Sequence, residues 1–252
     1  MEEALSGQVI VITGGAMGIG KALAQGCAES GATVILTDIN EKKLKETESE
    51  LKARGLACEA ALMDITDRAQ VEALLGGFKK KYGRLDGLIN NAGVAGKTAF
   101  LETSDQEFDK IIAINLRATF LCCRAAAAIM VEQGRGSIVN MASIAGKTGG
   151  GLMGTSTYAA SKGGVIAFSK GIARELAPYN VRVNVIAPGS IDTPMTIIGR
   201  DPESYQASLK KIPLHRRGKP EELVGAAILL LSEAGSFIVG ATIDVNGGSY
   251  MY

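Results

Sequence analysis

Val9-Ile10-Val11-Ile12-Thr13-Gly14-Gly15-Ala16-Met17-Gly18-Ile19-Gly20 is the stretch whose reading decides the fold. Four consecutive apolar residues without polar alternation fit a strand buried on both faces of a parallel sheet. A glycine-rich turn follows, and a helix pattern opens at about Gly20. Strand, glycine turn and helix N-terminus in that order form a cradle for a pyrophosphate. The glycines let the ligand approach the backbone, and the unpaired N–H groups with the helix dipole favour negative charge. The spacing is G-x-x-x-G-x-G rather than the commoner G-x-G-x-x-G. Gly14, Met17, Gly18, Ile19 and Gly20 become candidate cofactor contacts.

Outward from that stretch, strand and helix patterns alternate to the C-terminus. Strands are read at 33–37, 58–63, 85–90, 136–141, 181–187 and 243–245, and helices at 20–30, 41–54, 67–82, 104–133, 159–176 and 220–231. Such alternation predicts an α/β fold, a Rossmann-type doubly wound parallel sheet of about seven strands with helices on both faces. With no linker, repeat or low-complexity segment, residues 1–252 read as a single dinucleotide-binding catalytic domain.

Composition narrows the function classes. The chain has 252 residues, 46% hydrophobic and 21% charged, with a formal net charge of +1. Acids and bases are interspersed, so there is no basic face to suggest nucleic acid. The start lacks the features of a secretory signal, and the apolar run 223–231 is too short for a bilayer, so a cytoplasmic protein with no membrane partner is expected. Cys27, Cys58, Cys122, Cys123 and the lone His215 have no metal-ligand spacing, so no metal site is expected.

Asp38 ends the second strand, about twenty residues beyond the turn. A carboxylate there can accept both ribose hydroxyls and repels a 2′-phosphate. No Lys or Arg stands in the turn or directly after Asp38, which argues for NAD (NADH) over NADP. In the second half, Tyr158 and Lys162 are four apart at the start of a helix and share one face. A positive charge near a phenol favours the phenolate, and such a tyrosine can exchange a proton with a hydroxyl near neutral pH. Asn91-Ala92-Gly93, Ser143 and Pro188-Gly189 fall at or just beyond strand C-termini, where ligands of doubly wound sheets bind. Asn115 falls inside a long helix, where it also suits a cap or bend, and Ser143 and Pro188-Gly189 also suit plain turns.

Taken together, Thr13-Gly14-x-x-x-Gly18-x-Gly20, Asn90-Asn91-Ala92-Gly93, Asn115, Ser143, Tyr158-x-x-x-Lys162 and Pro188-Gly189 resemble the classical short-chain dehydrogenase/reductase family, in the family's order and over nearly the whole chain. The resemblance implies Tyr158 as general acid/base. Lys162 would bind the nicotinamide ribose and lower the Tyr158 pKa, and Ser143 would hold the substrate oxygen. Asn115 would hold a water in a proton relay behind Lys162. Asp38 would take the adenosine ribose, Asp64 and Ile65 would flank the adenine, and Asn91 would contact the adenosine side. Ile191 and Thr193 would reach the nicotinamide carboxamide. Ser143 precedes Tyr158 by fifteen positions, more than is typical, and the excess falls at 149–154.

Residues 94–98, 144–157 and 190–209 should line the substrate pocket, the last as a lid. Lys97, Lys147 and Arg200 in these loops are candidates to pair with an anionic substrate group, against ordinary surface charge. The expected function is an NAD(H)-dependent oxidoreductase interconverting a small secondary alcohol or polyol and its carbonyl. The alternative is an NADPH-dependent 3-oxoacyl-carrier-protein reductase, and a more distant one is a non-catalytic nucleotide sensor. The resemblance also implies a homotetramer, with the aromatic C-terminus near a subunit interface.

Overall fold

The computed structural model describes residues 3–96, 98–150, 155–193 and 202–252. The strands are β1 (Val9–Thr13), β2 (Thr33–Asp38), β3 (Cys58–Leu62), β4 (Gly87–Asn90), β5 (Gly136–Met141), β6 (Val181–Pro188) and β7 (Thr242–Val245). The helices are α1 (Gly18–Glu29), α2 (Glu41–Ala53), α3 (Arg68–Tyr82), α4 (Asp105–Ile112), α5 (Ala118–Gln133), α6 (Ala145–Thr148), α7 (Ser156–Leu176), α8 (Pro202–Leu209) and α9 (Val224–Leu231). All seven strands are parallel, in the order β3-β2-β1-β4-β5-β6-β7. The doubly wound fold read from the alternation is thus present.

Each strand faces two ways, and so do its buried side chains. Ile10, Ile12, Val34 and Leu36 pack with α1 residues Leu23 and Cys27, α2 residues Leu44 and Leu51, and α9 residues Ala227 and Leu230. Val9, Val11, Ile35 and Leu88 pack on the other face with Val71, Leu75 and Phe78 of α3, Cys122 and Ala126 of α5, and Ala173 of α7. Burying each of the Val, Leu, Ile and Phe side chains contributes roughly 1.5–3 kcal/mol. That explains why strands without alternation hold the middle of the sheet. Local signals fix the helix ends. Asn40 and Asp67 cap α2 and α3 through their side-chain oxygens, and Gly83 and Gly134 end α3 and α5 in the left-handed region.

The helix expected over 104–133 is interrupted by a π-helical turn, Ala113–Arg117, between α4 and α5. The span Asp105–Gln133 is long and apolar enough to cross a membrane by length and composition. Half of its most apolar part is buried inside the fold, where α5 packs on α3 and the sheet. Strand order reverses between β1 and β4, so a cleft opens beyond their C-termini. Thr13 pairs with Thr37, Asn90 with Asn140, and Met141 with Ile186. This register brings the glycine turn, Asp38, Asn91 and Ser143 to one end of the sheet.

Candidate active site

The β1–α1 turn is made of backbone. Gly14 (φ 65°) and Gly18 (φ 54°) adopt left-handed conformations. A Cβ on Gly20 would lie 2.0 Å from the Gly14 carbonyl oxygen and 2.6 Å from Asn91 Nδ2, so the turn closes only around a glycine. Asn91 Nδ2 donates to the carbonyls of Thr13 and Gly14, both at 3.1 Å. The N–H groups of Asn91 and Ala92 donate to Thr13 Oγ1 at 3.0 and 3.1 Å. Asn91 therefore bolts the β4 loop to the turn, a more specific task than the cofactor contact expected of it. Thr13, quoted only as part of the motif, is its hub.

The N-terminus of α1 has no side-chain cap and no acidic residue in its first turn. Its N–H groups and dipole are left for an external anion, and the turn fits a dinucleotide pyrophosphate. Met17 stands at the cap position and is partly exposed, with Ile19 half-buried behind it. Asp38 ends β2 beside this turn. Its Oδ2 accepts from Ala16 N–H at 3.2 Å and its Oδ1 from Asn40 N–H at 2.9 Å, which fixes the carboxylate at the rim. The following residue, Ile39, is 70% exposed and brings no positive charge. Asp64 Oδ1 holds Thr66 through its N–H at 2.8 Å and its hydroxyl at 2.7 Å, which shapes the Asp64-Ile65 corner.

The chemistry-bearing side chains come from β5 and α7. Ser143 follows β5, and its hydroxyl stands near enough to the Tyr158 phenol to favour the phenolate. Lys162, one turn further along α7, is buried, and its Nζ donates to the Met141 carbonyl at 2.8 Å. An ammonium has three protons to donate, so the others remain for the cleft. Lys162 Nζ lies 5.9 Å from the Tyr158 ring centroid. A Cβ on Gly93 would come within 3.1 Å of Asn115 Oδ1 and 3.5 Å of Lys162 Nζ, so the glycine lets these two groups crowd the loop.

Burial sets the electrostatics. It pushes the Tyr158 phenol up from its ordinary 10.0, and the Ser143 hydroxyl pulls it partly back. Burial also lowers Lys162 from 10.5 to about 8. The net direction on Tyr158 is therefore upward, with burial as its largest cause. Desolvation favours the neutral phenol.

Asn115 sits in the π turn, a place where functional residues often fall. Its Oδ1 accepts from Val94 N–H at 2.8 Å, and its Nδ2 donates to the Val94 carbonyl at 2.9 Å and to Ser161 Oγ at 3.0 Å. Its carbonyl accepts from Thr119 Oγ1 at 2.8 Å. The side chain thus clamps the 93–94 loop to α7, a task the sequence did not announce. Ser161, its partner, lies inside the quoted Tyr158–Lys162 stretch.

Pro188 and Gly189 close β6, with Ile144 N–H donating to the Pro188 carbonyl and Gly189 N–H to the Val245 carbonyl. Ile191 is buried and pairs with Gly218 in an isolated bridge, with Thr193 two residues on. Asp192, between them, meets buried Arg217 at 2.6 Å. Lys147 does not face the cleft. It pairs with Asp244 at 2.7 Å, which removes it as a candidate for a substrate anion. Lys97, Arg200 and residues 151–154 and 194–201 lie outside the described residues. Of the expected lid, the described part includes α8.

The chain is similar to known proteins along nearly its whole length. A family profile described as Enoyl-(Acyl carrier protein) reductase matches residues 14–250. The chain is 39% identical to the 3-oxoacyl-[acyl-carrier-protein] reductase FabG of Thermotoga maritima, over 97% of this chain and 98% of that one. It is 38% identical to the 5-keto-D-gluconate 5-reductase of Escherichia coli, over 97% and 96%. Among solved structures, levodione reductase superposes with a TM-score of 0.92 at 34% identity, covering 98% of this chain and 100% of that one.

Proposed function

The chain belongs to the classical short-chain dehydrogenase/reductase family, and on that footing we propose that it interconverts a secondary alcohol or polyol and its carbonyl with NAD(H) as cofactor. The observation that carries the reading is the Ser143–Tyr158 hydroxyl pair beside buried Lys162, at the end of the sheet that also holds the glycine turn. Hydroxyl and phenol converge where one substrate oxygen can accept from or donate to both. A nicotinamide cofactor, when bound, supplies the hydride acceptor or donor. In alcohol oxidation the Tyr158 oxygen takes the hydroxyl proton, and in carbonyl reduction it returns one. Ser143 donates to the substrate oxygen while charge builds on it. Lys162 holds a positive charge behind the phenol, anchored to Met141, and Asn115 keeps the 93–94 loop against α7.

Asp38 supports NAD over NADP. Its carboxylate is fixed beside the turn with the uncharged Ile39 next to it, a poor setting for a 2′-phosphate. Small polyhydroxylated or cyclic carbonyls as substrates are supported by the names of the E. coli and levodione relatives. The NADPH-dependent 3-oxoacyl-carrier-protein reductase reading is favoured by the T. maritima relative's name and opposed by Asp38. Initial rates at 340 nm, with NADH and NADPH against 3-oxoacyl thioesters, keto-sugar acids and cyclic diketones, separate the two. The proposal expects NADH with the small carbonyls. Turnover confined to NADPH and the thioester would replace it with the second reading.

A further inference from the structure

Lys147 sits one turn beyond Ser143, on the short helix α6, and is held in an unusual way. Its Nζ lies 2.7 Å from Asp244 Oδ2, with both side chains largely buried. The same ammonium lies 4.4 Å from the Tyr252 ring centroid and 5.7 Å from that of Tyr250. The two rings pack against each other with centroids 5.8 Å apart. Lys147 is thus enclosed by β7 and the last residues of the chain.

These contacts continue to the catalytic serine through very few bonds. Lys147 N–H donates to the Ile144 carbonyl, Gly146 N–H to the Ser143 carbonyl, and Ala145 N–H to Ser143 Oγ. Moving Lys147 therefore moves the turn that aims the Ser143 hydroxyl. One side of α6 packs on α7, where Gly146 meets Gly163. A cavity of about 490 Å³ opens along the same α6–α7 seam, lined in part by Gly146, Lys147, Lys170, Thr242, Tyr250 and Tyr252.

The C-terminal segment is itself well anchored. Asn246 Nδ2 donates to the Tyr250 carbonyl at 2.9 Å, and Leu214 N–H donates to the Gly247 carbonyl at 3.2 Å. Gly189 N–H donates to the Val245 carbonyl, so the same segment braces the end of β6. We propose that Lys147, clasped by Asp244 and the tyrosines Tyr250 and Tyr252, is a positioning residue that holds the Ser143 hydroxyl in register with the substrate oxygen. The charge that a sequence reading offers to a substrate anion is spent inside the protein. The inference rests on Ser143 and Tyr158 acting as proposed above.

The test is a double-mutant cycle on the full-length protein. Lys147→Met/Asp244→Asn removes the ion pair without stranding a buried carboxylate, and Lys147→Arg keeps charge and ring contact. The expected result for Lys147→Met/Asp244→Asn is a fall in kcat of about tenfold, with the NADH dissociation constant unchanged, because slight misplacement of a catalytic group is costly. Lys147→Arg should restore most of the loss. Adding Ser143→Ala to Lys147→Met/Asp244→Asn should cost no more than Ser143→Ala alone, since the pair acts through that hydroxyl. Tyr252→Leu, which leaves the ion pair intact, should lower kcat by a smaller factor and covers the case in which the first variant does not fold. Losses that multiply with Ser143→Ala, or unchanged kcat in Lys147→Met/Asp244→Asn or in Tyr252→Leu, would overturn the proposal. If Ser143→Ala itself kept full activity, the underlying catalytic reading would be the one to fail.

Discussion

The two halves of the cleft are built from different materials. On the β1–β2 side the groups proposed to face the cofactor are mostly backbone, a left-handed glycine turn and the uncapped N–H groups of α1, with one carboxylate side chain at a strand end. On the β5–β6 side they are side chains, and each is held by something distant in sequence. Ser143 depends on the α6 turn, Lys162 on the Met141 carbonyl and Asn115 on Val94 and Ser161. A backbone cradle tolerates side-chain change but not a Cβ where there is no room. A side-chain constellation tolerates neither loss of a group nor loss of its support. The contrast teaches that the first half should break in binding and the second in turnover.

Ser143→Ala, which would remove the proposed hydrogen bond to the substrate oxygen, should lower kcat by about 10²–10³-fold. It also removes the contact that pulls the Tyr158 pKa down, so the alkaline rise of oxidation with pH should move to higher pH. A profile of kcat/KM from pH 6 to 11 reads both effects. An unmoved profile would place Ser143 away from the phenol. Gly20→Ala should weaken NADH binding by at least about tenfold, ~1.4 kcal/mol, because the new Cβ meets the Gly14 carbonyl. Fluorescence titration checks this, and unchanged binding would mean that the turn does not carry the dinucleotide. Asp38→Ala should cut the NAD over NADP preference by about tenfold. Steady-state rates with both cofactors check this, and an unchanged ratio would remove Asp38 from cofactor choice.

A further effect is on stability. Lys162 has a folded pKa of about 8 against 10.5 in the open chain. Between those values the unfolded chain binds more protons, so this group's contribution to stability rises with pH through that window. Below pH 8 the buried ammonium costs about 3 kcal/mol at most. Lys162→Met should therefore raise Tm by a few degrees at pH 7 while abolishing turnover, with the gain shrinking towards pH 10. A lower Tm at pH 7, measured by calorimetry, would show that the Met141 contact outweighs the burial.

The same contrast explains what was legible in the sequence. Buried strands and the glycine turn depend on neighbours within a few residues, so Val9–Gly20 and the alternation of elements declare the fold. Register then carries Asp38, Asn91 and Ser143 to one end without further signal. The π turn at Asn115 was hidden, because residues 112–118 have an ordinary helical pattern and the bulge is held by bonds to Val94 and Ser161. Lys147 read as a loop cation because its partner, Asp244, lies nearly a hundred residues away. The net upward direction of the Tyr158 pKa is hidden in the sequence for a similar reason. Spacing revealed the nearby Lys162, whereas burial, the larger influence, belongs to the assembled fold.

The most direct measurement compares wild type and Tyr158→Phe in NADH-dependent reduction of small polyhydroxylated or cyclic ketones, followed at 340 nm, alongside NADH titration of both proteins. The expected result is turnover by the wild type, a loss of at least about 10³-fold in Tyr158→Phe, and NADH dissociation constants that agree within about twofold. Comparable turnover by the two proteins would contradict Tyr158 as the acid/base on which the account rests.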